Sequence, residues 1–175
     1  MHFLFLEIKD QEIVSFLTSL RFSLSKKNHK TSIHITIAGP KQKKPKPLKT
    51  IERFLREGHL LKISGIDRFV NHEDHVIYLA ASISGLRTHK LWNKPHYPKF
   101  NPHITLYKGN DAAHADKIFR YLQNEPIALE TDDYTIIPYC SEQPDLLHTT
   151  EQPLAIQYLA DNNQQILARI RQHCA

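Results

Sequence analysis

A chain of 175 residues, 41% hydrophobic and with only 5 glycines, can bury a sizeable core and is neither disordered nor fibrous in composition. Its formal charge of +5, with 12 histidines besides, favours anionic partners without choosing one. Cys140 and Cys174 make no disulfide framework and have no zinc-type spacing, and the apolar run in MHFLFLEIKD is too short for a signal peptide or a membrane span. A soluble chain in the reducing cytoplasm is therefore expected.

In chain order, HFLFLEI (2–8) reads as a buried strand. Asp10 then caps a helix on which Ile13, Phe16, Leu17 and Leu20 share one face. SIHITIA is an alternating, β-branched strand, followed by the basic loop KQKKPKP. Pro47 opens a helix that presents Leu48, Ile51, Phe54 and Leu55 on one side and ends at Gly58. LLKISGI (60–66) is the next strand. The order then repeats: strand DHVIYLAAS (74–82), a short helix from Ser84 to Trp92, strand FNPHITLY, a helix capped by Asp111, and strand IALETDDYTIIPY (127–139). Residues 140–158 read as irregular, and a polar helix closes the chain over 161–173.

The tripeptide His-Ile-Thr occurs twice, as His34-Ile35-Thr36 and His103-Ile104-Thr105. One copy alone carries little information. Each copy, however, sits third in a strand-helix-strand-helix-strand unit, and His34 precedes Leu60 by the same interval as His103 precedes Leu129. Alternation along a strand puts His34 and Thr36 on one face and Ile33, Ile35 and Ile37 on the other. By the same parity His103, Thr105 and Tyr107 share a face, opposite Ile104 and Leu106. Packed about a pseudo-two-fold axis, the units would bring two imidazoles and two hydroxyls to one point. That set suits phosphodiester cleavage, in which one histidine serves as base, the other as acid, and the threonines hold the non-bridging oxygens.

HITI and HITL, with FLFLEI, the GP after the first motif, LLKISGIDRF, HVIYLAAS and KFNPHITLYKG, resemble the paired HxTx motifs of the 2H phosphoesterase superfamily from residue 2 to about 139. The resemblance implies an α+β fold: a bilobal pseudo-two-fold duplication of a β-α-β-α-β unit, with two antiparallel-type sheets flanking a central cleft. It implies one domain over 1–175 with interleaved lobes, residues 140–175 being an extension of unassigned role. By the same resemblance His34, Thr36, His103 and Thr105 are catalytic and no metal or cofactor is needed. The implied substrates are 2′,3′-cyclic phosphate ends of RNA or small nucleotides, opened by analogy to a 2′-phosphate. The alternatives are 2′-5′-linked or cyclic oligonucleotides, and a binding module without turnover. A monomer with no membrane partner is expected.

Other candidates concern substrate binding. Lys41, Lys43, Lys44 and Lys46 could hold RNA phosphates at the cleft rim or form a solvated loop. Lys108 could reach phosphate, and Tyr107 could stack on a base, with Tyr97 and Phe100 as lesser choices. Ala38 leaves room where Tyr107 has its counterpart. The NHEDH segment, with His72 and His75, reads as a turn and not a metal site.

Overall fold

The computed structural model describes residues 1–25, 32–43, 53, 57–83, 102–141 and 161–174. Apart from Arg53 and the turn at Glu57 and Gly58, the helices expected over 47–58 and 84–92 lie outside these residues, as do Lys44, Lys46, Tyr97, Phe100 and the stretch 142–160. The described part is a mixed α+β fold with two antiparallel sheets and three helices. Its strands are β1 (His2–Ile8), β2 (His34–Lys41), β3 (Leu61–Asn71), β4 (Asp74–Ile83), β5 (His103–Gly109), β6 (Ala128–Thr131) and β7 (Tyr134–Cys140). Its helices are α1 (Gln11–Leu24), α2 (Ala112–Leu122) and α3 (Asp161–Cys174).

One sheet has the order β2-β1-β7 and the other β5-β4-β3-β6. The second strand in each order is flanked on both sides, which explains its composition. Leu4, Phe5 and Leu6 of β1 and Val76, Ile77, Tyr78 and Leu79 of β4 are all buried, so neither strand alternates cleanly with polar residues. The strands bearing the two HxT motifs, β2 and β5, are edges of their sheets. Each sheet also takes its third strand from the other part of the chain: β7 joins β1 and β2, and β3 joins β4 and β5.

Both expected caps form. The Asp10 carboxylate accepts from the backbone N–H groups of Glu12 (3.1 Å) and Ile13 (3.2 Å), and that of Asp111 accepts from His114 (3.0 Å). Asp10 also accepts from the Thr131 hydroxyl at 3.2 Å, fastening the start of α1 to the end of β6. The apolar face of α1, with Phe16, Leu17 and Leu20 fully buried, enters a core cluster shared by both sheets and all three helices.

Two boundaries and the burial of one helix differ from the expectation. The strand expected to stop at Ile66 runs on to Asn71, because Gly65, at φ 84, sits in a register shift and not at a strand end. β3 and β4 then form a long hairpin whose turn is His72-Glu73, with His72 at φ 56. The single strand expected over 127–139 is two strands in different sheets. It breaks at Asp132-Asp133, where the Asp133 carbonyl accepts from the N–H groups of Lys9 and Asp10 and its own N–H donates to the Thr131 hydroxyl. The closing helix is less polar than it reads: Ile166, Leu167 and Ile170 of α3 are at most 1% exposed and pack toward α1.

Asp10→Ala removes the cap of α1 and the tie to β6 together. It should lower unfolding free energy by about 1–2 kcal/mol, read as a shift in urea midpoint with little change in slope. An unchanged midpoint would show that α1 is held by its apolar face alone.

Candidate active site

The isoleucines at 33, 35 and 37 are at most 1% exposed, while His34 and Thr36 between them are partly open. Ile104 and Leu106 are fully buried, with His103 and Thr105 partly open. Alternation thus turns each imidazole and hydroxyl away from the core, as the sequence implies. The correspondence between the two strands goes further. Opposite β2, β1 pairs Glu7 with His34, Leu6 with Ile35, Phe5 with Thr36 and Leu4 with Ala38. Opposite β5, β4 pairs Ala80 with His103, Leu79 with Ile104, Tyr78 with Thr105 and Ile77 with Tyr107. Both ladders skip the residue after the threonine, Ile37 in one and Leu106 in the other. A bulge therefore occupies the same place in both.

That bulge overturns the parity expected for Tyr107. An extra residue after Thr105 breaks the alternation, and Leu106 and Tyr107 are both buried, as Ile37 and Ala38 are. Tyr107 is 6% exposed and meets His114 of α2 edge-on at 5.4 Å, so no ring face is open for a base. Burial, followed by the charges of Asp111 and Asp74, pushes its hydroxyl pKa up. Lys108 lies five residues along β5 from His103, roughly 17 Å at the usual strand rise, and is paired there with Asp74 at 3.1 Å. Lys43 is exposed just beyond the end of β2. Of the substrate-binding candidates, Tyr107 is thus turned into the interior and Lys108 is paired with Asp74 at the far end of β5, and Lys44 lies outside the described residues.

The neighbours of the two imidazoles are mostly aromatic. Phe5 stacks on His34 with centroids 4.1 Å apart, and Tyr139 of β7 stacks on Phe5 at 5.1 Å. At the other motif, Tyr78 lies 4.8 Å from His103, and Phe69 of β3 meets both His103 (5.7 Å) and Tyr78 (5.6 Å). Phe5 and Tyr78 hold equivalent register positions. So do Tyr139, opposite Phe3, and Phe69, opposite Val76. Aligning FLFLE with VIYLA would have found the first pair; the second depends on the strand exchange and has no local signal.

The two imidazoles differ in surroundings. His34 Nδ1 lies 2.8 Å from the Ser32 carbonyl, which can only accept, so Nδ1 carries the proton and Nε2 holds the lone pair in the neutral ring. Burial lowers the His34 pKa below 6.5; the Ser32 hydrogen bond opposes this, Arg21 adds to it, Glu7 opposes it and His103 adds to it. The effect of His103 on His34 and the approach of β2 to β5 place the motifs on neighbouring edges. Among the described residues no group of three or more His, Cys, Asp or Glu side chains is placed to hold a metal ion, and no helix is long and apolar enough to cross a membrane.

No family model matches the chain, and no curated protein or solved structure matches it.

The depressed His34 pKa fixes the sign of a pH effect. Between the folded pKa and 6.5 the unfolded chain takes up more protons, so the contribution of neutral, buried His34 is complete above about pH 6.5 and declines as pH falls through that window. Imidazole NMR should show the Nδ1–H form of His34 and a titration midpoint below 6.5. A midpoint above that value would mean that the ring is not desolvated as described.

Proposed function

We propose that the chain is a phosphodiesterase of the 2H type, in which His34 and His103 act on opposite sides of one phosphorus. The observation that carries this reading is the shared construction of the two motif strands: edge position, register, bulge and an aromatic beneath each imidazole. A structural histidine needs no such counterpart. The duplication of a strand-helix-strand-helix-strand unit about a pseudo-two-fold axis belongs to the same proposal, supported by the matching strand orders.

The preferred substrate is a 2′,3′-cyclic phosphate at an RNA end or on a nucleotide. His34, neutral and with its lone pair on Nε2, takes the proton of the attacking water as the water oxygen bonds to phosphorus. His103 gives its proton to the ribose oxygen as the P–O bond breaks. Thr36 and Thr105 donate to the non-bridging oxygens, whose charge must be held through the transition state. Both proton transfers and the charge stabilisation come from side chains, so turnover should persist in EDTA. His34→Ala and His103→Ala should each lower kcat by at least about 10²-fold, with the double variant little worse than the poorer single one, because both act in the same turnover. Full activity in either single variant would remove the shared-site reading. Tight binding of a nucleotide phosphate end without turnover by the wild type would favour a binding module instead.

One observation favours a second substrate. Phe69 of β3 meets His103 edge-on and is 38% exposed, and on the His34 side Tyr139 of β7 extends the aromatic surface beyond Phe5. A platform on both sides of the phosphorus suits a phosphodiester with a nucleoside at each end, as in 2′-5′-linked or cyclic oligonucleotides. Stacking contributes about 1–3 kcal/mol per base. Phe69→Ala and Tyr139→Ala should then each raise KM for 2′-5′ oligoadenylate by about 5- to 100-fold. Against a 2′,3′-cyclic mononucleotide at most one of them should matter. Equal effects on both substrates would count against the two-platform site.

A further inference from the structure

Behind the motif strands lies a buried cation that the proposed chemistry does not use. Arg21, in the last turn of α1, is 5% exposed. Its Nε donates to the Thr105 carbonyl at 2.8 Å, and one terminal nitrogen donates to the Ser32 carbonyl at 3.5 Å. One acceptor lies in the second motif, and the other lies two residues ahead of the first, just before β2 begins. Thr105 is the hydroxyl residue of the second and its carbonyl immediately precedes the bulge at Leu106. The Ser32 carbonyl holds His34 Nδ1.

We propose that Arg21 is a positioning residue that ties the HxT strands of the two sheets together and so sets the separation and aim of His34 and His103. The proposal rests on the phosphodiesterase reading for its consequence on turnover, but its geometry stands independently. β2 and β5 are edge strands of different sheets, and no strand ladder joins them. An edge carbonyl facing the interior needs a donor. A planar guanidinium on a buried helix can serve two carbonyls from fixed directions, whereas an ammonium is a point donor on a flexible stem. Two acid-base groups on opposite sides of one phosphorus must keep their spacing through the reaction, since a displacement of about 1 Å can cost about 10²-fold in rate. The charge acts in the same place. The groups facing His34 are Arg21 from α1, Glu7 from β1, itself paired with Lys9, and His103 from β5. Of these Glu7 favours the imidazolium, and Arg21 and His103 oppose it.

The experiment uses Arg21→Lys and Arg21→Met in the full chain. With whichever phosphodiester the wild type hydrolyses, Arg21→Lys should lose about 10²-fold in kcat with KM within about threefold, because spacing fails while the substrate surface remains. In Arg21→Met the acidic limb of kcat/KM should move to higher pH, since loss of the cation raises the His34 pKa. Arg21→Lys should leave that limb nearly in place. Histidine NMR supplies a readout independent of turnover: the His34 and His103 signals should both shift in either variant, while those of His59 and His72 stay. If neither variant folds, the wild type is still informative, because the Arg21 Nε–H should exchange far more slowly than those of Arg53 and Arg120. Folded variants with wild-type kcat and pH profile, unmoved His34 and His103 signals, or a fast-exchanging Arg21 Nε–H would each overturn the proposal. A wild type inactive on every phosphodiester, with the NMR shifts as expected, would instead sink the phosphodiesterase reading and leave Arg21 as the link between the motifs.

Discussion

A strand that buries one face has only the other to offer, and the candidate site rests on this constraint. Ile33, Ile35 and Ile37 commit β2 to the core so fully that His34 and Thr36 have one direction left, and Ile104 and Leu106 do the same for β5. A slip of one residue in either ladder would send the imidazole into the core and an isoleucine into the site. The transfer free energy of the buried side chains, about 1.5–3 kcal/mol for each large one, therefore also fixes where the imidazoles and hydroxyls point. The bulge after each threonine ends the alternation as soon as the imidazole and hydroxyl have been placed, and returns Ala38 and Tyr107 to the interior.

Within this repeated frame the two positions are not interchangeable. Glu7 stands across from His34 where Ala80 stands across from His103. Phe5 lies nearly flat on one imidazole, at 28° between planes, whereas Tyr78 is tilted by 50° against the other and its hydroxyl is held by Asp67 at 3.2 Å. The register equivalence makes these differences attributable to individual residues: one carboxylate, one ring angle and one tyrosine hydroxyl.

What the sequence displayed were the features governed by local periodicity: the alternation around each motif, both aspartate caps and the apolar face of α1. What it hid depended on partners distant along the chain. Tyr107 follows the parity of its own strand on paper, but the skipped residue is defined by pairing with β4. IALETDDYTIIPY is continuous in composition, yet its halves belong to sheets whose other members are far away in sequence, and only the contacts of Asp133 with Lys9 and Asp10 show why the chain turns there. Arg21 looks like a basic residue at a helix C-terminus, a common surface placement. Its burial becomes visible only when two edge strands arrive beside it. The same applies to α3, whose polar composition conceals three fully buried aliphatic residues.

The exchange of third strands has a consequence for synthesis. β1 is made before β2, and in the fold its apolar HFLFLEI sequence pairs with β2 on one edge. Its other edge is completed by β7, whose residues lie more than a hundred positions later. Throughout that interval an apolar strand edge is open to any extended segment it meets, the situation in which intermolecular pairing begins. β4 waits less, since β3 is already made when it appears and β5, which completes its other edge, follows within a few dozen residues. The vulnerable period in the life of this molecule therefore falls before β7 leaves the ribosome, and it is borne by the sheet that carries His34.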